Sequence, residues 1–399
     1  MPGFEMFGEA ERKSVGEVLD TGVLMRYGFE PMRGGHWKAR ELEAALADRM
    51  QVRHAHLVSS GTAALTVALA NVGVGAGDEV ILPTFTFVAS FEAVLALGAI
   101  PVLCDIDDTL TLDPVAVEEA ITPATRVIMP VHMCGSMADL KALKALADAH
   151  ELVLLEDACQ AIGGSYEGKP LGSYGHVGCF SFDYVKTITC GEGGALITNS
   201  DELYEKAQAF SDHGHDHIGS DRGAEGHPHL GFNYRISELN AAVGLAQIGR
   251  LDEFLSIQEM NYRHLKSAIE DIQEVTFRRV PEGGVENYSF LNFFLPDSDS
   301  ARKAQIALSE SGMDGVFYWY DNNWHYHRRW EHLKGLKSVA KLPLQLREQF
   351  TGRNTWGHPK SDHWMGRTLS VLIKLNWDQA ELQRRAGVLR DVLTSLTGQ

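Results

Sequence analysis

Between residues 55 and 200, short apolar runs alternate with stretches whose apolar positions repeat every three to four residues. Val80–Leu82, Ile100–Leu103, Val127–Met129, Leu152–Leu155, Cys179–Phe182 and Ala195–Thr198 read as buried strands. Asp139 to His150 carries the helical period between two of them. Strand–helix alternation predicts an α/β fold around a mainly parallel sheet covered on both faces. In such sheets ligands collect at the carboxyl ends of the strands. A further helix is expected after Ser237, with Leu239, Ala242, Val243 and Ala246 on one stripe, running on as a long connector through Leu251–Ile269. A domain boundary is therefore expected near 250. Residues 1–250 would form the large domain and 251–399 a smaller α+β domain, with Val275–Phe277 and Phe290–Phe294 as strand candidates.

The polar residues that interrupt this pattern carry the chemistry. Asp157 closes one predicted strand, Ser181 lies at the end of another, and Lys186 follows it just before Glu192-Gly193-Gly194. Upstream, Ser60-Gly61-Thr62 opens a helix with small hydrogen-bonding residues. A solvated lysine, a capping aspartate and an ordinary N-cap would explain each of these singly. Together they are the parts a pyridoxal phosphate site needs. A desolvated lysine amine can attack the cofactor's aldehyde and, once released, move a proton. A carboxylate beside the pyridine nitrogen keeps that nitrogen protonated. A helix N-terminus with a glycine lets the backbone approach a phosphate, and Ser181 adds a hydroxyl. Phe85 or Phe87 offers a ring to stack on the cofactor.

Composition narrows the class. The net charge is −17, which disfavours nucleic acid and anionic membrane as partners. Five scattered cysteines without a CxxC argue against a disulfide framework or a zinc site of that type. With no secretory signal at the N-terminus, a cytoplasmic location is expected. The longest apolar stretch, Val80–Cys104, is broken by Pro83, Glu92 and Pro101, so no membrane span is expected. His213, His215 and His217 alternate, but Gly214 and Gly219 suggest a loop, and no metal is expected there.

Ser60–Leu65, Gly77–Val80, Phe85-Thr86-Phe87, Glu156–Ala161, Phe180–Lys186 with Glu192–Gly194, and Gly231–Arg235 followed by Glu238–Ala242 occur in the order found in the DegT/DnrJ/EryC1/StrS sugar aminotransferases. The chain resembles that family strongly over residues 1–270 and more loosely beyond. The resemblance implies a fold-type I, aspartate aminotransferase-like architecture and a homodimer with active sites at the interface. It implies that Lys186 bonds the cofactor, that Asp157 meets the pyridine nitrogen and that Phe87 stacks on the ring. Gln160 would lie near the ring hydroxyl, Gly61, Thr62 and Ser181 would hold the phosphate, and Asn233 would reach the phosphate in the other subunit. Relatives with histidine at the lysine position act as dehydratases. Lys186 is intact, which favours amino transfer and argues against a catalytically silent regulator.

The chain departs from the family pattern at Asp183 and Thr187, in Ser211–Gly219, in Gly315–Tyr326 and in Pro359–Asp362. With Phe4–Gly8 and Met25-Arg26-Tyr27, these departures resemble the branch that aminates the C8 aldehyde of an oxidised octulosonate with glutamate as donor, for lipopolysaccharide. A nucleotide-linked 3- or 4-keto hexose is the alternative substrate. For a sugar acid, Arg26, Arg235, Lys360 and Arg367 are candidate cations, and His215, Asn322, Trp324 and His325 candidate contacts to hydroxyls.

Overall fold

The structure is a computed structural model describing residues 3–219, 223–342, 344–353 and 356–397. Seven strands form the large sheet: β1 (His54–Val58), β2 (Glu79–Pro83), β3 (Ile100–Cys104), β4 (Thr125–Ile128), β5 (Val153–Asp157), β6 (Val177–Ser181) and β7 (Gly194–Thr198). Their order is β1-β7-β6-β5-β4-β2-β3. Only β7 runs against the others, antiparallel to both β1 and β6. The sheet is thus mainly parallel, and its carboxyl edge gathers the residues after β1, β2, β5 and β6. β1 was not expected, because His54 and His56 interrupt its apolar run.

Helices cover both faces. On one face Gly61–Asn71 and Val88–Ala96 pack on Leu82, Leu103, Ile128 and Leu154. On the other Leu42 and Leu46 of Lys38–Arg49 pack with Phe180 and Phe254. Gly61–Asn71 starts where Ser60 Oγ accepts the Ala63 N–H at 3.0 Å, removing one orphan donor of the first turn.

The expected connector is two helices, Glu238–Ile248 and Leu251–Ser267, divided at Gly249–Arg250. A second antiparallel sheet follows: β8 (Thr276–Phe277), β9 (Phe290–Phe294), β10 (Val316–Phe317) and β11 (Thr368–Leu372), ordered β8-β9-β11-β10. Helices Leu251–Ser267, Ser298–Glu310 and Gln379–Thr397 cover it. Between β10 and β11 the chain leaves this sheet and returns to the large one. The His325 and Trp324 carbonyls accept the Thr86 and Val88 N–H groups at 3.0 and 2.8 Å, and Trp330 and Phe350 bury their rings against Phe91. A division of the chain at 250 leaves this excursion with the second unit by sequence, although it packs on the first. Among the described residues no helix is long and apolar enough to cross a membrane.

Candidate active site

A cavity of about 340 Å³ opens at the carboxyl edge of the large sheet. Gly61, Thr62, Phe87, Asp157, Gln160, Ser181, Lys186 and His325 all line it. Asp157 is the last residue of β5 and is buried. Alternation along the strand turns its neighbour Glu156 to the opposite face. There Glu156 accepts N–H groups from Gly172, Tyr174 and Gly175 at 2.7–2.8 Å and pairs with His132 Nε2 at 2.9 Å. That buried cluster clamps the strand end from behind. On the cavity side Asp157 Oδ1 accepts the Cys159 N–H at 3.1 Å and Oδ2 accepts the Ser90 hydroxyl at 2.7 Å.

Lys186 sits on a turn after β6, its N–H donating to the Asp183 carbonyl at 3.0 Å. Its outer neighbours Tyr184 and Val185 are more than half exposed. The turn is held from outside by residues 3–6. The Gly3 N–H donates to the Lys186 carbonyl at 2.9 Å, and Phe4 stacks on Tyr184 at 4.3 Å. Glu5 accepts the Leu375 N–H at 2.8 Å, beyond β11. This bracket reaches from the lysine turn to the second sheet. Its residues appeared in sequence only as part of a resemblance, with no chemical signal of their own.

The helix start at Gly61 and Thr62 fits a phosphate. Neither N–H has a partner among the described residues, and the helix N-terminus favours an anion there. A Cβ at Gly61 would stand 2.7 Å from Ser181 Cβ and 3.0 Å from Ser181 Oγ. Glycine is what lets helix and strand end close around the cradle. Phe87 is partly exposed into the cavity, whereas Phe85 is fully buried core. Gln160 Oε1 accepts the Cys134 N–H at 2.9 Å, which fixes the amide at the rim.

His325 closes the outer wall, 5.2 Å from the Phe87 ring and 4.6 Å from that of Trp319. Burial first, then the charge of Lys186, pushes its imidazole down to about 3, so it is neutral. Asn322 Oδ1 lies 3.1 Å from His325 Nδ1. An amide oxygen only accepts, so Nδ1 carries the proton and Nε2 is left as an acceptor. Glu192, also lining the cavity, has its carboxyl raised by burial and then by the charge of Asp183.

Three expected site residues are not at this cavity, and each has a physical reason. Arg26 is buried, donating to Glu43 Oε1 at 2.6 Å and to the Leu57 carbonyl at 2.7 Å. Glu43 falls to about 2 against burial, through that guanidinium and then His56. Arg26 is therefore a structural cation. His215 sits 3.0 Å from Glu225 on the far side of the loop. Asn322 spends its oxygen on the Trp324 and His325 N–H groups and so orients His325 from behind. Asn233, expected at the other subunit's site rather than this one, is exposed and caps the Arg235 N–H. Of the other candidate cations, Arg235 pairs with Asp212, Lys360 with Asp113, and Arg367 donates to the Leu295 carbonyl. Trp324 is half exposed and stacks 5.9 Å from Phe87. Among the described residues no group of three His, Cys, Asp or Glu converges as a metal set.

Lysine, strand-end carboxylate, helix-start cradle and stacking ring around one cavity define a pyridoxal phosphate enzyme of the aspartate aminotransferase-like fold, and the residues fit that cofactor. Residues 7–345 match the DegT/DnrJ/EryC1/StrS aminotransferase family, and the chain belongs to it. It is 41% identical over 277 residues to the L-glutamine:2-deoxy-scyllo-inosose aminotransferase of Streptomyces kanamyceticus, covering 67% of this chain and 65% of that one. It is 44% identical over 220 residues to the GDP-perosamine synthase of Caulobacter vibrioides, covering 55% and 58%. The chain thus aligns with about three fifths of the length of these curated relatives. The crystal structure of an aminotransferase from Psychrobacter cryohalolentis superposes with a TM-score of 0.85 at 25% identity, covering 98% of both chains.

Proposed function

We propose that this protein is a transaminase that converts the C8 aldehyde of 3,8-dideoxy-8-oxo-manno-octulosonate to the 8-amino sugar acid, with glutamate as donor, for lipopolysaccharide. The observation that carries amino transfer is the convergence of Lys186, Asp157 and the Gly61–Thr62 cradle on one cavity. Bound pyridoxal phosphate supplies an aldehyde to bond amines and an electron sink for the carbanion. The chain's own groups do the rest. Lys186 holds the cofactor at rest and, released, carries the proton between the reacting carbons. Asp157 keeps the ring nitrogen protonated, Ser181 and the helix start neutralise phosphate charge, and Phe87 orients the ring. His325 Nε2 accepts a hydroxyl from the substrate.

The octulosonate assignment rests on the departures at Asp183, Thr187 and the loops 211–219 and 315–326. A sugar carboxylate needs a cation, and Lys186 is the one cation among the described residues lining this cavity. The second cation therefore comes from a partner subunit in this reading. In that homodimer Asn233 reaches across the interface to the partner's cofactor phosphate. Exposed apolar side chains at Phe29, Met32, Ile218, Leu230 and Phe232 support such a cover. Light scattering tests it, and an active monomer would contradict it. The absence of a membrane-crossing helix among the described residues is compatible with a cytoplasmic enzyme.

The similarity to GDP-perosamine synthase favours a second reading, a nucleotide-linked keto hexose as acceptor. A mass-spectrometric assay with pyridoxal phosphate and glutamate separates the two. The 8-oxo octulosonate and nucleotide-linked 3- and 4-keto hexoses are offered in separate reactions. Amine product from the octulosonate alone is expected. Product only from a nucleotide sugar would overturn the substrate and leave the cofactor chemistry in place.

A further inference from the structure

Ser90 lies in the first turn of the helix Val88–Ala96, fully buried, and its hydroxyl donates to Asp157 Oδ2 at 2.7 Å. Behind it, Thr86 Oγ1 lies 2.7 Å from Ser90 Oγ and is also buried. Each hydroxyl owns one proton. The Ser90 proton is committed to the carboxylate, so the proton between the two hydroxyls belongs to Thr86, which shares it with the Phe87 carbonyl at 3.2 Å. The relay runs one way, from Thr86 to Ser90 to Asp157. The second carboxylate oxygen is held by the Cys159 N–H at 3.1 Å. Donors on both oxygens set the plane of the carboxylate, which otherwise turns about its last bond.

We infer that Ser90, backed by Thr86, is a positioning residue that aims the Asp157 carboxylate at the pyridine nitrogen of pyridoxal phosphate. The inference rests on the cofactor placement proposed above. Ser90 lines the same cavity as Asp157, but its proton is spent on Asp157, so it acts through that residue. Phe87, whose ring faces the cofactor, lies between Thr86 and Ser90 in the chain. One short segment thus sets both the stacking ring and the partner of the ring nitrogen. The preceding strand β2 and the carbonyls of Trp324 and His325 hold that segment.

The test is a double-mutant cycle read by cofactor affinity, titrating apoprotein with pyridoxal phosphate by absorbance. Ser90→Ala is expected to weaken binding about tenfold, a change of about 1.4 kcal/mol, and Ser90→Thr to restore it. In an Asp157→Asn background, Ser90→Ala is expected to change affinity less than about twofold, because the oriented group is gone. The pH titration of the bound cofactor's absorbance is expected to shift in Ser90→Ala and return in Ser90→Thr. Equal losses in both backgrounds, or undiminished affinity in Ser90→Ala, would overturn the inference. If Ser90→Ala does not fold, Thr86→Val removes the upstream donor while keeping the shape. It is expected to cost about threefold, again only while Asp157 is present. Wild-type protein that binds no pyridoxal phosphate would instead sink the cofactor reading itself.

Discussion

The two walls of the cavity are built by different means. The inner wall is the carboxyl edge of the large sheet. Asp157, Ser181 and Gly61 sit within a residue or two of strand or helix ends, and backbone hydrogen bonds of the sheet fix where they point. The outer wall is the excursion from Trp319 to Gly366, which belongs to neither sheet. Its Trp330 and Phe350 rings pack on Phe91, and buried polar contacts latch its ends. Ser361 Oγ donates to Asp105 Oδ1 at 2.6 Å and accepts from Thr84 Oγ1 and the Ile106 N–H. Tyr326 OH donates to Asp362. A wall made of strand ends tolerates little movement. A latched wall can be loosened without dismantling the sheet.

The largest expected effect breaks the inner wall. Lys186→Ala should cut amine formation roughly 10⁴-fold, measured in single-turnover assays, while thermal stability changes little. Residual activity near wild type would remove Lys186 from the chemistry. Arg26→Ala should do the reverse, because Arg26 serves the scaffold. Leaving Glu43 buried without its partner should cost about 3–5 kcal/mol in urea unfolding, with the acceptor KM unchanged in the folded fraction. A large rise in KM alone would return Arg26 to the substrate.

Two predictions sharpen the outer wall. Ser361→Ala leaves the Asp105 carboxylate and the Ile106 N–H short of a partner and should cost about 2 kcal/mol. It should raise the acceptor KM while pyridoxal phosphate affinity holds. Loss of cofactor affinity instead would mean the walls are not independent. The effect that is smallest at neutral pH, and grows only in acid, is the pH response of His327, buried behind the latch. Burial first, then the charges of His358 and Lys334, pushes its imidazole down to about 3. The unfolded chain then binds more protons than the folded one between about pH 6.5 and 3. Stability is complete above pH 6.5 and falls as pH drops, by at most about 1.4 kcal/mol per unit. His327→Phe should flatten that slope in pH-dependent urea melts. An unchanged slope would place the acid sensitivity elsewhere.

The inner wall was legible in sequence because its residues sit where regular structure places them. An acid at the end of an apolar run, a lysine after the next run and a glycine at a helix start keep their positions wherever the sheet forms. The outer wall was only half legible. His325 was singled out and lines the cavity, but Arg26, His215 and Asn322 looked equally suitable and turned inward to Glu43, Glu225 and the His325 turn. The reason is electrostatic. A charged or polar side chain in a loop takes the nearest partner that offsets its burial, and that partner is remote in sequence. Ser90 carries no local signal for the same reason, since its acceptor lies 67 residues away.

Sequence alone determined the mainly parallel sheet and placed Lys186, Asp157 and the Gly61–Thr62 helix start at its carboxyl edge, because hydrophobic period and strand-end position are local properties. Tertiary structure alone decided which polar groups face the cavity and which are spent on one another. It also decided that the chain between β10 and β11 returns to the large sheet, and that residues 3–6 brace the lysine turn. Those outcomes depend on which distant side chains become neighbours on folding, and hydrogen bonds and ion pairs of a few ångströms discriminate among neighbours that no local pattern encodes.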